Sequence, residues 1–86
     1  MNADDFGRFY IGAIHEGRTL FYSWDGMGWR FAPIDQEEGM YTIFTRMNVK
    51  VAKESMAEVR ETYPGLQMFL VPREDAKMWG IQEVEQ

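Results

Sequence analysis

The chain has 86 residues, 45% of them hydrophobic and 15% aromatic, with no cysteine and a formal net charge of −5. That length gives one domain rather than two, the apolar fraction excludes a disordered chain, and the missing cysteine excludes disulfides and thiol chemistry. The acidic balance argues against direct nucleic-acid binding, and no apolar run approaches the roughly 20 residues needed to cross a bilayer.

Residues 1–7, MNADDFG, read as a loose start, too polar and acidic for a secretory signal, so the cytoplasm is the expected location. RFYIGAIH (8–15) and RTLFYSW (18–24) are rich in aromatic and branched residues, and the intervening Glu16-Gly17 fits a two-residue hairpin loop. DGMG (25–28) is a second turn, and WRFAPI (29–34) follows as a third strand. The two turns together fix a register. They place Phe9, Trp24 and Trp29 in one row, Ile11, Tyr22 and Phe31 in the next, and Ala13, Leu20 and Pro33 in a third. Strand side chains alternate, so all three rows share one apolar face. Tyr10, Phe21 and Arg30 fall on the opposite, mixed face, where Phe21 is expected to lie over Gly12. Pro33 donates no ladder bond, so the third strand is expected to be an edge or to end near there.

DQEEG (35–39) reads as a solvated loop and MYTIF (40–44) as a short strand leading into a helix. Across FTRMNVKVAKESMAEVRETY (44–63), Val49, Ala52, Met56, Val59 and Tyr63 recur at steps of three and four, the stripe of an amphipathic helix. Thr45 is the expected N-cap, stapled by Phe44 and Val49, with Asn48 as its rival. Pro64 and Gly65 mark the end. LQMFLV (66–71) reads as a buried strand stopped by Pro72; with 40–44 it makes a right-handed crossover unit. Residues 74–79 are expected to form one helical turn that seats Met78 and Trp79, and residues 80–86 a loose tail. The fold class is therefore α+β: an antiparallel three-stranded meander with one or two further short strands, packed on a single amphipathic helix.

Chemistry is sparse. One histidine and no cysteine leave no zinc set, and Asp35, Glu37 and Glu38 lack the EF-hand spacing. His15 flanks a turn, and neither Ser23 nor Ser55 has an evident base, so no nucleophile is activated. Glu54 and Glu58 share a helix face that looks solvated, not a cleft. DGMGW has no strand-to-helix context and no following lysine, so it is not a phosphate loop. These absences predict a protein with no enzymatic activity, no cofactor and no metal.

What remains is a surface. Tyr10, Phe21 and Arg30 are residue types enriched at interfaces, and Asp35, Glu37 and Glu38 offer an acidic patch that would meet a basic surface on a larger protein. In size, acidity and plan the chain resembles the small accessory proteins of phages, some of them anti-CRISPR-like inhibitors. The resemblance implies action by occupying a surface of a larger target. The leading expectation is a non-enzymatic binding module that inhibits or adapts a partner protein. The alternatives are a binder or sequestering protein for a nucleotide-type small molecule, and a structural domain without separable activity. Exposed strand edges also make a homodimer an expected assembly.

Overall fold

The structure is a computed structural model that describes residues 7–24, 26–34 and 44–81. Strands β1 (Phe9–His15), β2 (Arg18–Trp24), β3 (Trp29–Pro33) and β4 (Gln67–Pro72) form one antiparallel sheet in the order β3-β2-β1-β4. Helix α1 (Val49–Thr62) and a 3-10 helix (Arg73–Trp79) complete the described elements. The α+β meander and its single long helix are as the sequence predicts. The acidic loop 35–39 and most of the strand expected at 40–44 lie outside the described residues.

Glu16 and Gly17 both take positive φ, 52° and 77°. That pair of left-handed residues is what a two-residue loop needs to match the twist of its strands. It sets His15 opposite Arg18 and Gly12 opposite Phe21, while the second turn sets Trp24 opposite Trp29 and Tyr22 opposite Phe31. Pro33 closes β3 at the sheet edge, opposite Leu20.

The β1–β2 ladder ends at Gly12 and Phe21, so the expected Ile11–Tyr22 and Phe9–Trp24 pairs do not form. Residues 44–47 enter between the two strand ends. Phe9 exchanges both backbone bonds with Met47, at 3.0 and 2.9 Å, and the Tyr22 carbonyl accepts from the Thr45 N–H at 3.1 Å. The Trp24 N–H donates to Thr45 Oγ1 at 2.7 Å. The Phe9 and Trp24 backbone groups and the Tyr22 carbonyl, which a continued hairpin would pair across the two strands, thus bond to the inserted segment instead.

This insertion overturns Thr45 as N-cap. Its hydroxyl is occupied at Trp24, and Asn48 caps α1 instead, its Oδ1 accepting from the Val51 N–H at 2.8 Å. Met47 and Ala52, the pair flanking that cap, are both buried in one cluster. At the other end Tyr63, restricted by the following proline, leaves helical geometry while its N–H still bonds to the Val59 carbonyl.

The sheet is covered on both faces. On one face Ala52 and Val59 of α1 pack with Ile11, Tyr22 and Met47, and Phe31, Met68 and Leu70 lie around them. This is the predicted arrangement of Ile11, Tyr22 and Phe31 under the helix. Against the other face, Phe44, Ala76 and Ile81 close over Tyr10, Phe21, Ala32 and Val71. The tail expected to be loose from residue 80 begins as a helix cap. Gly80 at φ 84° and Ile81 return hydrogen bonds to Lys77 and Ala76, and Ile81 is buried with Ala76.

Candidate interaction surface

The outward aromatic face is the main correction. Tyr10 is 3% exposed and Phe21 is 0% exposed, so neither is available to a partner. Alternation does place them opposite Tyr22, as expected. The 3-10 helix then crosses that face and brings the Trp79 ring to 6.0 Å from Phe21 and 5.1 Å from Phe69. Phe44 adds an edge-on contact with Phe21 at 5.8 Å. A fully buried phenylalanine contributes on the order of 1.5–3 kcal/mol over an exposed one, which is why the chain covers this face instead of leaving it wet. Of the expected contact residues, Arg30 is exposed, and Asp35, Glu37 and Glu38 lie outside the described residues.

Gly12 makes the covering possible. A Cβ there would lie 2.5 and 2.6 Å from two Phe69 ring carbons and 3.2 Å from one of Phe21. Phe21 does lie over the strand glycine, and Phe69 sits on it more closely still. The predicted helical turn seats Trp79 but not Met78, which remains in solvent.

Exposed apolar side chains occur at several places, Met78, Trp79, Ile14, Val49 and Val51 among them, and a group of exposed rings stands at the Trp24–Trp29 end of the sheet. Trp24 is 49% exposed, Met27 in the connecting turn 95%, and Tyr63 54%. Trp24 and Trp29 stand directly opposite on the α1 side of the sheet. Trp29 is half-buried: it stacks on Tyr22 at 6.2 Å and meets the Tyr63 ring edge-on at 6.3 Å. Two strand ends and the helix terminus thus hold one row of rings, anchored from below by the core. The sequence carried a partial signal for this row. It assigned Trp24, Trp29 and Tyr63 to the apolar face, but α1 is too short and too narrow to cover all three.

All nine Lys and Arg and six of the fourteen Asp and Glu lie within the described residues, a formal +3. The net −5 therefore comes from eight carboxylates outside them, Asp25 in the Trp24–Met27 turn and Asp35, Glu37 and Glu38 among these.

Little in the described part suits catalysis. His15 and Glu16 meet in solvent at 3.8 Å. The Tyr22 phenol has its pKa raised above the ordinary value by burial and by the nearby Glu58 carboxylate, and partly lowered by a hydrogen bond with Ser55. Among the described residues no three His, Asp or Glu side chains converge into a metal site. No described helix is long and apolar enough to cross a membrane. Comparisons with family models, with curated proteins and with solved structures find no match.

Proposed function

We propose that this protein is a non-enzymatic binding module that inhibits or adapts a larger protein, and that it makes contact through the Trp24–Met27–Trp29–Tyr63 end. One observation carries the reading: tryptophan, tyrosine and methionine side chains stand exposed around a half-buried tryptophan fixed from beneath. Hot spots favour such rings because they bury much area with few rotatable bonds. Asp25 stands between Trp24 and Met27 in the sequence and the chain carries a net charge of −5, so a partner surface with an apolar centre and basic groups is the one that suits it. The cytoplasm, where a chain without cysteine needs no oxidative folding, is its place of action.

The test is comparative crosslinking. Wild type, Trp24→Ala and Tyr63→Ala, each carrying the same photo-crosslinker at Met27, are exposed to a native lysate and their adducts identified by mass spectrometry. The proposal expects at least one adduct that both substitutions abolish and that Arg18→Ala, at the opposite hairpin end, retains. If every adduct survives both aromatic truncations, the surface is wrong.

A further inference from the structure

The two edges of the sheet differ in how they are protected. On β3 the outer edge is five residues long and holds Arg30 and Pro33. On β4 the edge strand QMFLVP carries no charge, and natural sheets rely on charge to keep such edges apart.

The direction of each backbone group on β4 follows from the hydrogen bonds of β1. Phe9 turns its N–H and C=O toward Met47, and the Arg8 carbonyl accepts from the Arg73 N–H at 2.7 Å. Tyr10, Gly12 and Ile14 therefore face β4 and pair with Val71, Phe69 and Gln67. By the same alternation Met68 and Leu70 turn their N–H and C=O outward, and Pro72 turns outward a carbonyl with no donor beside it.

We propose that this edge pairs with the same edge of a second copy, giving an antiparallel twofold dimer centred on Phe69. In that register Met68 faces Leu70 of the second copy and Leu70 faces its Met68. All four outward N–H groups of the two strands then find carbonyls, and the donor-less Pro72 falls outside the ladder. Three features select a second copy. The strand is uncharged, so self-apposition brings no like charges together. The two outward donors stand symmetrically about Phe69, as an isologous contact requires. Met68 and Leu70 are half-buried on the α1 side and Phe69 on the other, so a continued sheet extends both apolar layers at once.

The pairing is independent of the partner-binding surface, which lies where β2 meets β3. Sedimentation and NMR hydrogen exchange on the full chain, over a wide concentration range, test it together. The expected result is a mass that doubles with concentration while the Met68 and Leu70 amides slow toward the rates of Phe69 and Val71. Met68→Pro removes one outward donor without touching the β1 ladder, and is expected to hold the protein at monomer mass with its fold intact. Trp24→Ala is expected to dimerise as wild type does. Monomer mass at every concentration overturns the inference. So does protection of Met68 and Leu70 in the monomer, or a dimer whose concentration-dependent protection falls on the Trp29 and Phe31 amides of β3.

Discussion

Among the described glycines, Gly12 leaves the least room for a side chain. Any Cβ there must displace the Phe69 ring, which Trp79 holds at 5.1 Å, so the ring has no easy retreat. Gly12→Ala is expected to lower stability by about 1–3 kcal/mol, the usual range for overpacking a core. Denaturant melts of Gly12→Ala, Phe69→Leu and the double variant measure this. The smaller leucine should relieve much of the alanine's cost, so the two changes should be strongly non-additive; strict additivity would place the strain elsewhere. Tyr22 gives a second residue-scale prediction. Its phenol holds its proton more tightly in the folded state than the ordinary value of 10.0 implies, chiefly through burial. The stabilising effect of the neutral phenol is complete below pH about 10 and is lost as pH rises through the higher folded value. Tyr22→Phe is expected to cost about 0.5–1.5 kcal/mol at neutral pH through the lost Ser55 bond, and to flatten the alkaline fall in melting temperature. Parallel alkaline curves for the two proteins would remove Tyr22 as the cause.

At the scale of elements, the entry to α1 is the most informative. Asn48→Ala is expected to cost about 1 kcal/mol, as cap deletions do, and to speed hydrogen exchange at Val51, whose N–H it leaves open. Thr45→Ala should leave Val51 unchanged and speed exchange at Trp24, whose N–H it serves. The reverse pattern would restore Thr45 as the cap. The same segment explains where the sequence stops being legible. Turn chemistry at Glu16-Gly17 and Gly26 is local, and it sufficed for three strands, their faces and most of their register. Helix periodicity is local too, and it placed α1 to within a turn. The choice between Thr45 and Asn48 depends on a bond between residues 21 apart in sequence, which no local pattern contains. Phe21 failed for the same reason. Its face was right, but its burial depends on Phe44 and Trp79, which arrive from distant parts of the chain. The exposed ring row was half legible: the apolar face was assigned, but the reach of the helix across it was not.

For the molecule as a whole, the sheet has to be covered twice, and the two covers differ in kind. Helix α1 brings fourteen residues and its own hydrogen bonds to one face. The other face depends on a seven-residue 3-10 helix and two capping residues, with Ala76 and Ile81 as its buried contacts and Trp79 as its ring. A 3-10 run of that length has poor intrinsic geometry, so tertiary contacts must hold it in place. Ending the chain at Pro72 removes this cover and leaves Phe21, Tyr10 and Val71 facing water on a four-stranded sheet. The expected outcome is loss of a single cooperative unfolding transition, with strong binding of a hydrophobic dye and retained far-ultraviolet signal from α1. If the chain ending at Pro72 still melts cooperatively and binds no dye, the second core does not hold the fold together, and Phe21 returns as a surface residue open to a partner.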